Sequence, residues 1–216
     1  VDEAETLLND LSSNPDFGGE IAEDEFELNS FILVRGEKVP RQGQYYDVHD
    51  GQQRIITFAL ILAAMRDRFL QLDNREMAEE LHKKLVLTKP RWDKVLRVQL
   101  RTRDSGMFNQ IIDRNMSSKT VDGLPPKSEW SKMGEVDRHV VENFETIRKD
   151  VNNRDSDMLG TLFDYMMERC FVLLSEAPSP KMARSLVMGQ NRGKNVEPID
   201  EFKGQLIFRG IEDEVQ

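Results

Sequence analysis

Five consecutive residues, Asp50-Gly51-Gln52-Gln53-Arg54, carry side-chain types that handle a phosphate. The residues before them, "YYDVH", read as a strand, and from Ile55 to Met65 only Thr57 is polar. A strand ending at about His49, a tight turn at Gly51 and a helix over 52–72 follow from that pattern. The first amides of a helix have no intrahelical partners and lie at the positive end of its dipole, which suits an anion. Gly51 lets a phosphate come close to the backbone. Arg54 adds a planar fork for phosphate oxygens. Gln52 and Gln53 can hydrogen-bond such an oxygen or orient a water, and Asp50 can hold a magnesium ion or activate a water. A plainer reading stands beside this one: Asp-Gly is a common turn, and an arginine near a helix start can simply pair with an acid. The polar mouth of a helix that is otherwise apolar all round weighs toward a cavity at that end.

A second cluster, Asn191-Arg192-Gly193-Lys194, sets two cations and a glycine between two expected helices. Arg192 and Lys194 can close on one anion, or the stretch is a solvated loop with surface charges. Asp200 and Lys203 are spaced to pair with each other on the following helix. Other chemistries find no support. His49, His82 and His139 are far apart, and none has metal-ligand spacing with the single cysteine, Cys170. Cys170 lies in an apolar run and reads as a buried, inert thiol. His49 reads as a packed histidine on the strand face opposite Asp50 rather than a base.

The elements that must position these residues follow from periodicity. Ala4, Leu7, Leu8 and Leu11 mark a first helix, Phe31 to Arg35 a strand, and Asn74 a cap for a helix bearing Met77, Ala78, Leu81 and Leu85. Arg66, Asp67, Arg68 and Gln71 predict that the second half of helix 52–72 surfaces. "KVLRVQL" reads as a short strand, and Met107, Phe108, Ile111 and Ile112 as the inner face of a short helix. Residues 116–134 read as a long loop. Val136, Val140, Phe144, Ile147 and Val151 mark one amphipathic helix; Met158, Leu159, Leu162, Phe163, Met166 and Met167 mark the next. "CFVLLSE" is a strand, Ser179-Pro180 starts a helix to about Gly189, and Pro198 starts a last helix through Phe208. A few strands and many helices make an α+β chain.

Residues 1–30 hold ten acids and no lysine or arginine, so the net charge of -9 sits at one end; the rest has 29 acids against 30 bases. A near-neutral body argues against broad nonspecific DNA binding, which needs a basic face. One cysteine fits a reducing, cytoplasmic setting, and no apolar run is long enough for a membrane span.

The motif "DGQQRIITFALILAAMRD", preceded by "FILV" and "YYDVH", resembles the N-terminal domain family of GmrSD-type restriction endonucleases. The resemblance extends to "GQNRGKNVEPIDEFKGQLI", where Asn191, Arg192, Gly193, Lys194, Asp200 and Lys203 match a second family motif. His49 and Ile56 depart from the family pattern, as do Ser185-Leu186 and Glu197. The resemblance implies a ParB/sulfiredoxin-like small sheet with helices, plus a mainly helical subdomain. It divides the chain into a core over 1–72 with the first motif, a helical part over 73–169, and a returning strand and helices over 170–216. It implies nucleoside-triphosphate hydrolysis, GTP-like and dependent on magnesium (Mg2+), that regulates a nuclease in modification-dependent restriction or phage defence. By that analogy Gly51, Arg54, Asn191, Arg192 and Lys194 bind phosphate, while Asp50, Gln52 and Gln53 order metal or water. The expected partners are a nucleoside triphosphate, a nuclease domain or subunit and, through a full-length protein, DNA. The family's upstream Q-R-x-Y-x-W segment and downstream H-N-H domain are missing, so the chain reads as a fragment or a truncated homologue. The alternative is a non-catalytic ParB-like module that binds DNA or a partner.

Overall fold

The computed structural model describes residues 26–38, 44–88, 94–100, 106–114, 116–117, 124–190 and 206–208. The fold is α+β. Strands β1 (Phe26–Arg35) and β2 (Tyr46–Asp50) form an antiparallel pair, with Ile32 opposite Asp50 and Leu33 opposite Val48. His49 is thus the extra residue of a β-bulge, which turns the end of β2 toward the following helix. Helix α1 (Gln52–Gln71) comes next, then α2 (Arg75–Leu85). Their junction is closed by the amides of Asp73 and Asn74, which reach back to the carbonyls of Leu70 and Phe69. Asp73 takes the left-handed, positive-φ conformation this termination needs. Asn74 then caps α2, its side chain accepting from the amide of Met77, as its sequence position predicts.

Strands β3 (Val86–Leu87), β4 (Val95–Leu96) and β5 (Val98–Gln99) are short. The one strand expected over "KVLRVQL" is split at Arg97: β4 pairs with β3, and β5 crosses to the main sheet. Helix α3 (Gly106–Ile112) precedes a 3-10 helix, Lys127–Lys132, inside the stretch expected to be loop. There Trp130 donates its indole N–H to the Pro125 carbonyl, and the Lys127 ammonium lies 5.7 Å from the ring centre. Helices α4 (Glu135–Asn152) and α5 (Ser156–Glu168) follow, then β6 (Cys170–Ala177), α6 (Pro180–Gln190) and β7 (Leu206–Phe208).

The main sheet has the order β5-β7-β2-β1-β6, antiparallel except for the parallel pair β1 and β6. The far end of the helix expected from Pro198 is therefore strand. Residues 206–208 hydrogen-bond between β2 and β5, and sheet partners distant in sequence override local helix spacing.

Alternation along β1 sends Phe31 and Leu33 to one face and Ile32 and Val34 to the other. The first face, with Val48, joins the main core around α1, α4 and α5; the second meets Ala177 and Ala183, beneath α6. Helix α1 is the axis of that core: every residue from Ala59 to Asp67 is buried. The expectation that its second half surfaces at Arg66 is overturned, since Arg66 is 0% and Asp67 2% exposed. Three residues expected inward are exposed: Val136 at the start of α4, and Met158 and Met167 at the two ends of α5.

Arg66 is tolerated in the core because its donors are used. Nη1 donates to the Ile112 carbonyl at 2.7 Å, Nη2 to the Ile111 carbonyl at 2.8 Å, and Nε to Asp67 at 3.0 Å. Asp67 also meets Arg114 Nη1 at 2.8 Å. Arg66 thereby satisfies carbonyls at the C-terminus of α3 that have no helical partners. At the other end of α3, Asp137 of α4 accepts from the Met107 amide at 2.9 Å.

Candidate functional site

The motif sits where the sequence places it, at the β2–α1 turn. Gly51 is the N-cap of α1 and has a positive φ, a left-handed conformation natural to glycine. Its carbonyl accepts the first helical bond, from the Ile55 amide at 3.1 Å. No side chain caps the helix start, and no acid lies in its first turn. The other described helices of eight residues or more differ. Asn74 and Asp155 cap α2 and α5, Ser179 accepts from the Met182 amide at the start of α6, and α4 carries Glu135 and Asp137 in its first turn. The positive end of α1 is the one left uncompensated by its own residues.

The side chains around this end are not all directed at a ligand. Gln52 donates from Nε2 to the Val48 carbonyl and so ties the helix start to β2. Arg54 is half-buried and makes one long bond, Nη1 to the Ser30 carbonyl at 3.4 Å. Gln53 is exposed, and Asp50 is half-buried at the end of β2, opposite Ile32. Gly51 has a second reason to be glycine, which local pattern could not reveal. A Cβ built there would stand 1.7 Å from the Phe31 ring. Asn191, Arg192 and Lys194 lie outside the described residues, beginning just after the end of α6. An open cleft of about 490 Å³ is lined by Met107, Pro125, Glu129, Lys132 and Met133, and none of the described motif residues lines it.

Whether a magnesium ion suits the motif depends on its donors. Among the described residues no group of three or more His, Cys, Asp or Glu could hold a metal. Asp50 offers one carboxylate, and magnesium is commonly held by one or two carboxylates together with substrate phosphates. The donor set therefore fits an ion that arrives with a nucleotide rather than a resident one.

Of the other titratable groups, Cys170 is half-buried and burial pushes its thiol up to about 11, which keeps it protonated and unreactive at neutral pH. Burial lowers His49, with Asp47 opposing and Arg184 reinforcing the shift; burial raises Asp47. The group the sequence left without a role is His82, whose Nδ1 lies 3.5 Å from Arg66 Nη1. Burial first, then Arg66 and Lys94, push it down to about 4 against the pull of Asp113. A guanidinium only donates, so Nδ1 is the acceptor and the neutral ring carries its proton on Nε2.

The depressed His82 makes stability depend on pH. The unfolded histidine takes up a proton near 6.5, the folded one only near 4. Its contribution to stability is full above 6.5 and declines as pH falls from 6.5 to 4. The ring is only half-buried, so solvent screening keeps that loss modest. Urea titrations at pH 7 and pH 5 are expected to show a smaller acid loss for His82→Gln than for wild type; identical losses would refute this assignment.

No helix among the described residues is long and apolar enough to cross a membrane. Compared with protein-family models, with curated proteins and with solved structures, the chain matches none.

Proposed function

We propose that this chain binds a nucleoside triphosphate through its phosphates at the N-terminus of α1, as a regulatory, GTP-hydrolysing domain of a restriction-type or phage-defence nuclease. The observation that carries the reading is the uncapped, acid-free start of a buried helix, entered through a left-handed glycine and flanked by Arg54. Such an end attracts anions through its free amides and its dipole. In this reading Arg54 exchanges its long bond to the Ser30 carbonyl for a phosphate oxygen, a stronger charge-assisted bond. Asn191, Arg192 and Lys194 are assigned to the same phosphates on their sequence motif alone. Gln52 and Gln53 orient a water in line with the terminal phosphorus, and Asp50 takes its proton as the bond to the bridging oxygen breaks and the diphosphate leaves. In the alternative role for Asp50, its carboxylate would hold magnesium together with the phosphates in place of taking the proton, and the ion would supply charge neutralisation there.

Isothermal titration with GTP, ATP and CTP in the presence of magnesium tests the proposal. Arg54→Ala is expected to weaken binding by about tenfold to a hundredfold, the worth of one hydrogen bond to a charged group. Circular dichroism checks that the variant stays folded. No binding by wild type, or equal binding by both proteins, would sink the proposal.

Two observations favour a second reading, a non-catalytic module built on the same turn. The bond from Gln52 to Val48 and the fit of Gly51 against Phe31 give two motif residues a purpose that needs no ligand. Under this reading the isolated chain binds DNA in a salt-dependent manner, and nucleotide leaves that binding unchanged.

A further inference from the structure

Strand β1 begins at Phe26, whereas β2 ends at Asp50, opposite Ile32. The first half of β1 therefore runs past the end of its antiparallel neighbour. Across the hairpin the Gly36 amide donates to the Tyr45 carbonyl at 3.0 Å. Backbone polar groups change sides at each residue of a strand, so Val34, Ile32 and Ser30 also turn theirs toward β2. Ser30 is the first of this series beyond the reach of β2, because the chain has already turned into α1. Its carbonyl is taken instead by Arg54 Nη1, from the first turn of α1, at 3.4 Å. The guanidinium thus stands in for the strand amide that is missing there.

This tie falls beside an interruption of the strand. Glu27 is opposite Phe171 and Ser30 is opposite Leu173, so Leu28 and Asn29 share the one position of Val172. Such a bulge leaves a residue unpaired and weakens the ladder locally. Beyond it, the sheet pairing of Phe26 and Glu27 is with β6. Ser30 is where α1 grips the strand next to that weak place.

Building on the proposed role of Arg54 as a phosphate ligand, we infer that its guanidinium is a latch through which a phosphate at the start of α1 governs the first half of β1. While Arg54 bonds the Ser30 carbonyl, it pins β1 beside the bulge. At 3.4 Å that bond is near the limit of hydrogen-bonding distance, so a small movement of the fork breaks it. A phosphate oxygen is the stronger, charge-assisted acceptor and draws the fork away. The Ser30 carbonyl then loses this donor, and residues 26–30 keep a bulged ladder to β6. Nucleotide binding thereby loosens a strand segment while it occupies the helix start. That direction is distinctive, because a ligand that binds the folded chain ordinarily steadies it.

Amide hydrogen exchange of the full chain, read by mass spectrometry beside the titrations with GTP and magnesium, tests this. Without nucleotide, Arg54→Ala is expected to speed exchange over residues 26–31 by about threefold to tenfold, the worth of one ordinary hydrogen bond. Residues 33 and 34, which pair with both β2 and β6, are expected to stay unchanged. Wild type saturated with GTP and magnesium is expected to show the same acceleration over 26–31. Arg54→Ala, with GTP raised to offset its weaker binding, is expected to show no acceleration beyond its own. Exchange over 26–31 that slows or holds steady while GTP binds overturns the latch and leaves the nucleotide reading standing. Exchange in nucleotide-free Arg54→Ala equal to that of wild type overturns the latch as well. A wild type that binds no GTP overturns both together. The wild-type comparison needs no variant, so it decides the matter even if the substitution unfolds the chain.

Discussion

Asp67→Ala is expected to lower the unfolding free energy by about 3–5 kcal/mol, the usual cost of leaving a buried charge without its counterion. Asp67 is 2% exposed and is the acid shared by Arg66 at 3.0 Å and Arg114 at 2.8 Å. Removing it takes away the carboxylate that Arg66 Nε bonds, while the Arg66 guanidinium keeps its desolvation cost in the core. Arg66 retains its two carbonyl acceptors on α3, so the damage is the lost charge balance rather than the lost helix end. Asp67→Asn keeps the shape and one acceptor and is expected to fall between wild type and alanine. A domain of ordinary stability, about 5–15 kcal/mol, would lose a large part of it. Chemical denaturation of the three proteins decides the matter. A loss below about 1 kcal/mol for alanine would mean that the cluster behaves as a surface pair, contrary to its burial.

Gly51→Ala is expected to cost about 2–5 kcal/mol, from two separable sources. A left-handed backbone costs an L-residue about 1–2 kcal/mol, and forcing a methyl against a packed ring costs about 1–3. The ring is Phe31, itself 7% exposed and unable to swing into solvent cheaply. Phe31→Leu should relieve the overpacking but not the backbone strain, so Gly51→Ala is expected to be milder in the Phe31→Leu background. Equal costs in both backgrounds would show that the ring is not what the glycine accommodates. The same pair of variants weighs the two reasons for glycine. If close approach of phosphate matters, the relieved double variant is stable yet binds nucleotide poorly. If only Phe31 matters, binding returns with stability.

Among the described residues the helices were the legible part, because a period of 3.6 and a local cap are written in neighbouring residues; the first helix, expected from Ala4, Leu7, Leu8 and Leu11, lies outside them. Asn74, Ser179 with Pro180, and the stripe Val140, Phe144, Ile147 and Val151 all read as they fold. The turn at Gly51 was legible for the same reason. What failed to read is nonlocal. Leu206–Phe208 becomes strand only because β2 and β5 meet it. Arg66 looks like a surface residue until the open end of α3 is brought against it. Phe31 and Gly51 are twenty positions apart, and only the bulge at His49 and the turn of α1 bring them into contact. Arg192 and Lys194, with Asn191, lie outside the described residues, so their part in the phosphate site rests on the sequence.

Helix α3 is seven residues long, too short to persist in water by itself. Both its ends are held from elsewhere: Asp137 on α4 takes the Met107 amide of its first turn, and Arg66 on α1 takes its last carbonyls. Its formation therefore presupposes that α1 and α4 are already docked. Displacing either α1 or α4 therefore removes a support of α3. The helix has no local melting of its own; it exists only while two longer helices agree on their positions.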